Sequence, residues 1–126
     1  MLRLAIVDDH KIVREGIVTL LSQHPCFQVV GEAADGREAV ERMRELSPDV
    51  IIMDVSMPGL NGFEATAQIR KNPRFARLPI VALTASALSE ERQECFDVGM
   101  NDCIVKPFSP DELYVTVLKW LDLGER

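Results

Sequence analysis

The sequence holds no apolar run approaching the ~20 residues that a membrane-spanning helix needs. Its start, Met1-Leu2-Arg3-Leu4, leads straight into a strand pattern without a signal-like segment, so the expected compartment is the cytoplasm. Gly- or Ser-rich linkers, internal repeats and low-complexity segments are absent. The 126 residues are therefore expected to form one domain, 1–126, large enough to bury a single core. Cysteine is scarce: Cys26, Cys95 and Cys103 are scattered, odd in number and without metal-ligand spacing. Free thiols, buried or half-buried in a reducing compartment, are the expectation. Positive charge is in the minority, with a net charge of −6, which disfavours DNA or an anionic membrane as a direct partner. No Gly-rich loop follows the first strand pattern, so the phosphate cradle of a nucleotide or flavin binder is missing.

What is present is a globular composition, 47% apolar and 27% charged, arranged as five alternations of strand and helix. Leu4 to Val7 is apolar and ends on Asp8-Asp9. Ile12, Val13, Gly16, Ile17, Leu20 and Leu21 then form a helical stripe. Phe27 to Gly31 reads as the second strand. Asp35 is placed as an N-cap with Glu38 completing a capping-box-like pair, and Ala39, Val40, Met43 and Leu46 line that helix until Pro48 ends it. Val50 to Met53 is an unbroken apolar run, the signature of a strand covered on both faces, and it ends on Asp54. A third helix spans Gly62 to Arg70, and Ile80 to Leu83 forms a strand ending at Thr84. Ser89, with Glu90 and Glu91, is expected to open the fourth helix, with Gly99 as its C′ residue. Cys103 to Val105 runs into Lys106-Pro107. Ser109-Pro110-Asp111-Glu112 starts the last helix, lined by Leu113, Val117, Trp120 and Leu121. Helix-length crossovers between short apolar strands predict a doubly wound α/β fold: a five-stranded parallel sheet with helices on both faces.

In such a sheet every strand ends on one edge, so Asp8, Asp9, Asp54, Thr84 and Lys106 converge there. Three close carboxylates repel, and one is driven to take a proton unless a cation compensates them. A hard, oxygen-seeking divalent ion fits, Mg²⁺ best, because it uses one or two carboxylates and keeps waters. A carboxylate beside such an ion and a lysine can accept a phosphoryl group as an aspartyl phosphate. Lys106 and the Thr84 hydroxyl can each serve one phosphoryl oxygen. His10 is expected at the start of the first helix by the pocket rim, and Met53, Met57 and Met100 in core or loop packing.

With those five residues in order at strand ends, the chain resembles the receiver domain of two-component response regulators along essentially its whole length. The resemblance implies a flavodoxin-like sheet in the order 2-1-3-4-5 and phosphorylation on Asp54 from a phosphohistidine of a histidine kinase or phosphotransfer protein. It implies Mg²⁺ (or Mn²⁺) on Asp9, Asp54 and the Ser56 carbonyl, with Asp8 contributing through water. Lys106-Pro107 matches the family's lysine–proline step, often a cis bond. The activity implied is that of a signalling module, catalysing its own phosphotransfer and slow dephosphorylation, with Ser56 and Ser86 beside the hydrolytic water. An output domain or protein would read its state through the fourth helix, fifth strand and fifth helix, and a phosphorylation-dependent homodimer fits the same pattern. Gly62-Phe63-Glu64-Ala65-Thr66 resembles receivers joined to helix-turn-helix DNA-binding domains, and Ala82-Leu83-Thr84-Ala85 resembles those of hybrid sensor kinases. One departure stands out. Cys103 occupies the position where the family carries an inward-swinging Tyr or Phe, so the signal must leave by another element or through Thr84 and its loop. A metabolic phosphatase using an aspartyl phosphate is the distant alternative; it needs a second acid two residues after the nucleophile, where this chain has Ser56.

Overall fold

A computed structural model describes residues 2–86 and 88–120. Strands β1 (Leu2–Val7), β2 (Phe27–Ala33), β3 (Val50–Asp54), β4 (Ile80–Thr84) and β5 (Asp102–Val105) alternate with helices α1 (Lys11–Ser22), α2 (Gly36–Leu46), α3 (Gly62–Arg70), α4 (Ser89–Asp97) and α5 (Pro110–Leu118). The strands form one sheet in the order β2-β1-β3-β4-β5, every neighbouring pair parallel. This is the expected flavodoxin-like arrangement.

The apolar run of β3 divides by residue parity between two cores. Val50 and Ile52 join Ile17 and Leu21 of α1 and Leu113 and Val117 of α5 on one face. Ile51 and Met53 join Ala39 and Met43 of α2, Ala65 and Ile69 of α3, and Cys95 of α4 on the other. Burial of both faces is why the run shows no polar alternation. It also fixes the register: a one-residue slip would exchange the two cores and carry Asp54 away from the sheet edge.

Some local expectations are corrected. The α1 stripe packs only in its second half: Ile12 is 85% and Val13 38% exposed, and Gly16 is exposed as well. The inward line instead runs through Arg14, whose guanidinium is paired with Glu32 at 3.0 Å and donates to the Asp8 carbonyl at 2.8 Å. A cation thus joins the inward face at a position outside the predicted apolar stripe, and the buried line is rotated toward Arg14, Ile17, Val18 and Leu21. Strand β2 extends two residues past Gly31, to Ala33. Ser89 opens α4 as expected, with Glu90 and Glu91 in its first turn. Leu88 stands at the N-cap, and its N–H donates to the Ser86 hydroxyl at 3.1 Å. Asp35 caps α2 through the Glu38 N–H, while a complete capping box forms at Asn61 and Glu64 of α3. Ser109 caps α5 and Gly99 takes the left-handed conformation after α4, both as expected. Leu121 lies outside the described residues.

Gly62 opens α3 hard against the end of β3. A Cβ at this position would stand 2.4 Å from the Asp54 carbonyl oxygen and 2.7 Å from the Val55 Cα. Backbone cannot yield as a flexible side chain does, so Gly62→Ala is expected to destabilise by about 1–3 kcal/mol. Denaturant unfolding checks this; a loss under about 0.5 kcal/mol would show that α3 does not hold the loop after Asp54 at this distance.

Candidate functional site

The carboxyl edge of the sheet gathers the site. Asp8 follows β1 and is fully buried; its Oδ1 accepts the His10 N–H at 2.8 Å. Asp54, 2% exposed, ends β3, and its Oδ1 accepts the Ser56 N–H at 3.0 Å. Lys106 follows β5, anchored where its N–H donates to the Thr84 carbonyl at 2.7 Å. Its Nζ reaches Asp54 Oδ2 at 3.2 Å and Asp8 Oδ2 at 3.4 Å. One ammonium thus bridges two buried carboxylates that lie 46 residues from each other in sequence. The Lys106–Pro107 peptide bond is cis.

Asp9 is the third acid. Its Oδ1 is buried without a hydrogen-bond partner, and although His10 Nδ1 lies 3.2 Å away, that contact lacks hydrogen-bond geometry. Single ligand atoms of Asp8, Asp9, His10 and Asp54 all fall within 4.8 Å of one another. Three carboxylates against one lysine leave the edge with an excess of negative charge. An orphaned carboxylate oxygen in that setting suits a hard divalent cation.

Burial pushes the Asp54 carboxyl above its ordinary pKa. The Ser56 N–H and the Lys106 charge pull it back down, and the Asp8 charge adds to the rise. Desolvation dominating a carboxyl with a cation only 3.2 Å away marks a site built to hold charge at a cost.

Thr84 ends β4, fully buried, but its hydroxyl is engaged elsewhere. It accepts the Ser86 N–H at 3.1 Å and donates to the Glu91 carboxylate of α4. Ser56 meets Asp54 through its N–H and leaves its side chain exposed. The structure therefore draws Asp8, Asp9, Asp54 and Lys106 into one cluster and sets Thr84 beside them with its proton turned to α4. Sequence reading missed Arg14 and Glu91. Arg14 has no signal beyond a charge beside the apolar stripe, and Glu91 read only as an acid suited to a helix amino terminus.

The remaining groups behave as the sequence implied. Met53, Met57 and Met100 are buried, and all three cysteines are free. Burial pushes the Cys95 thiol up to about 11, with the nearby Cys103, Glu91 and Glu94 adding to it, so it stays protonated at neutral pH. Cys103 packs partly buried against the core beneath α4.

Comparison with known proteins agrees with the geometry. The family model described as the response regulator receiver domain matches residues 4–118. The response regulator protein VraR of Staphylococcus aureus is 36% identical over 118 residues, covering 94% of this chain and 56% of the relative. The chain thus spans about half the length of the curated relatives it matches. Among solved structures, a LuxR-family two-component response regulator from Aurantimonas sp. SI85-9A1 superposes with a TM-score of 0.90 at 36% identity, covering 97% of this chain and 86% of that one. The Vibrio cholerae chemotaxis protein CheY4 gives a TM-score of 0.88 at 35% identity, over 94% and 98% of the two chains. The receiver domain of the Pseudomonas aeruginosa sensor histidine kinase PA1611, solved with a magnesium ion in its active-site cleft, gives 0.86 at 35%, over 96% and 98%. Family model, fold and strand-end constellation coincide, and the chain belongs to the response regulator receiver domain family.

Proposed function

We propose that Asp54 is the phosphoacceptor of this receiver and that its donor is a phosphohistidine on a partner kinase or phosphotransfer protein. The observation that carries the reading is the Lys106 ammonium 3.2 Å from a carboxylate buried at a strand end. A carboxylate oxygen of Asp54 attacks phosphorus, a P–O bond forms, and the P–N bond to imidazole breaks, with the electron pair returning to the ring nitrogen. Lys106 is placed to pair with a phosphoryl oxygen and offset the charge gathering there. The residues fit a divalent cation held by Asp9, Asp54 and the Ser56 carbonyl, with Asp8 acting through water. Mg²⁺ is the natural occupant and Mn²⁺ a substitute. When bound, the ion supplies charge neutralisation to the acids and to the transferring group. The metabolic phosphatase alternative gains nothing from the site: Ser56, two residues beyond Asp54, is no acid.

The phosphorylated state acts by shifting a conformational population that an output reads. The output is a DNA-binding domain, with phosphorylation promoting a homodimer; placement within a sensor kinase is the alternative. No helix among the described residues is long and apolar enough to cross a membrane. A cytoplasmic location suits a partner that presents phosphohistidine.

Incubation with acetyl phosphate and Mg²⁺, followed by peptide mass spectrometry, tests the reading. The label is expected on Asp54, to require the divalent ion, and to fall at least tenfold in Asp9→Asn, which loses the carboxylate suited to the ion. A label on another residue, or one indifferent to Mg²⁺, would overturn it.

A further inference from the structure

We propose that Glu91 is a positioning residue of the phosphoryl-transfer site: it holds the Thr84 hydroxyl proton on α4 until a phosphoryl group on Asp54 competes for it, and thereby couples phosphorylation to the first turn of α4. The inference rests on the receiver reading above and concerns the step that follows phosphorylation.

A hydroxyl has one proton to give. Thr84 Oγ1 already accepts from the Ser86 N–H at 3.1 Å, and its proton goes to Glu91, with the Ser86 carbonyl a more distant acceptor at 3.3 Å. While Glu91 holds that proton, Thr84 cannot donate to a phosphoryl oxygen. The hydrogen bond is charge-assisted and buried on the threonine side, which makes it stronger than an ordinary hydroxyl contact. A phosphoryl group on Asp54 brings more charge and more acceptor oxygens to the same edge. Once the proton turns inward, Glu91 is left half-buried, without its donor and facing a dianion.

The structure gives Glu91 somewhere to go. A cleft of about 670 Å³ opens beside it, between α4 and the loop after β3, bounded by Ser56, Asn61, Phe63, Leu88 and Glu94. The dianion on Asp54 repels the freed carboxylate outward into this open cleft, at whose rim Glu90 and Glu94 stand exposed to solvent. Residues 88–91 sense that movement, because Glu91 sits in the first turn of α4 and the Leu88 N–H is bonded to Ser86, the residue whose own N–H donates to Thr84. This supplies an exit for the signal that needs no large side chain at position 103. Cys103 lies on β5 opposite Ala82, two residues before Thr84 on β4, and is too small to report a threonine shift by swinging.

The test uses the whole chain, with beryllofluoride and Mg²⁺ as a phosphoryl mimic and amide NMR as readout. Glu91→Ala frees the hydroxyl in advance and is expected to bind beryllofluoride roughly tenfold more tightly, the fold-change that corresponds to one charge-assisted hydrogen bond. Glu91→Gln, whose amide oxygen is a weaker acceptor, is expected to fall between. In a Thr84→Ala background the gain should vanish, which a merely structural role for Glu91 would not produce. Amide shifts of residues 88–92 should move on beryllofluoride binding in the wild type and stand near their shifted positions already in Glu91→Ala. A gain that persists without the Thr84 hydroxyl, or no gain at all, overturns the proposal. The hydrogen bond is checked separately by unfolding midpoints of the two single variants and the double. Non-additive midpoints support it, and strict additivity overturns the latch whatever the mimic does. If the midpoints are non-additive but the wild type takes neither label nor mimic, the receiver chemistry on Asp54 has failed, and with it the switch.

Discussion

Replacing Asp54 with asparagine is expected to reduce the phosphoryl label to background and, in the absence of divalent cation, to raise the melting temperature at neutral pH. Loss of the label follows from the loss of the attacking oxygen. The gain in stability follows from what burial does to this carboxyl. Desolvation and the Asp8 charge outweigh the help from the Ser56 N–H and Lys106, so the folded-state pKa lies above the unfolded one. A group raised in this way costs the folded state stability at any pH where it is ionised. The cost begins to lift as pH falls through the folded pKa and is gone below the unfolded value. The advantage of Asp54→Asn is therefore largest at neutral pH and shrinks on acidification. The asparagine oxygen can keep the Ser56 N–H, while its amide nitrogen takes the Oδ2 place beside Lys106 and leaves that ammonium to pair with Asp8 alone. Each 1 kcal/mol gained moves the midpoint by roughly 2–8 °C for a domain of this size. Added Mg²⁺ should stabilise the wild type by mass action and the variant less, so the difference narrows or reverses. An Asp54→Asn protein no more stable than wild type without Mg²⁺ at neutral pH would mean that Lys106 fully compensates the buried charge.

The two effects together describe a site in which stability is spent on reactivity. Asp8, Asp9 and Asp54 converge because three strand ends converge, and nothing in core packing asks for three acids there. Lys106 lessens the repulsion without cancelling it, since its one ammonium reaches only two of the three carboxylates, Asp54 and Asp8. The unpaired Asp9 Oδ1 is the remainder of that imbalance.

The parts of this design that were legible in the sequence are those set by periodicity and strand ends. The Val50–Met53 run could be placed because a strand covered on both faces has no polar residue to spare, and Asp54 because an acid directly ends it. Asp8, Asp9 and Lys106 followed from the same rule. What the sequence hid depends on side chains that break their element's pattern. Arg14 takes an inward position in α1 because Glu32 and the Asp8 carbonyl satisfy it, and both partners lie on other elements. Glu91 looked like any acid at a helix amino terminus, and only the fold brings it to the Thr84 hydroxyl. Long-range polar pairs of this kind have no period to betray them.

At the opposite edge of the sheet the largest stability effect is expected from Arg70→Met. Arg70, at the end of α3, donates through Nε and Nη2 to the Gly99 carbonyl at 3.0 and 2.6 Å, and through Nη1 to the carbonyls of Phe75 and Leu78 at 2.8 and 2.6 Å. Nη2 also reaches Asn101 Oδ1 at 2.7 Å, the oxygen that accepts the Ile80 N–H at the start of β4. Among the described residues no carboxylate pairs with it, and burial lowers its pKa, yet a guanidinium remains cationic at neutral pH. One side chain thus ties the end of α3, the 3-10 turn at Pro73–Phe75, the start of β4 and the turn into β5. A hydrogen bond to a charged donor contributes about 1.5–3 kcal/mol, and the contacts share one group, so a combined loss of about 3–5 kcal/mol is expected. That is a large fraction of the roughly 5–15 kcal/mol that holds a domain folded. Arg70→Lys should not restore it, because a point charge cannot span acceptors arranged around a planar fork. Gly99 fits the same picture: its left-handed φ of +105° aims its carbonyl at the guanidinium, and a Cβ there would stand 3.1 Å from Arg70 Nε. Denaturant midpoints at constant slope measure the loss, and acetyl phosphate labelling of the fraction still folded should match wild type, since the acceptor lies at the other end of the strands. A loss below about 1 kcal/mol, or full rescue by lysine, would mean that the backbone segments around Arg70 hold one another without it.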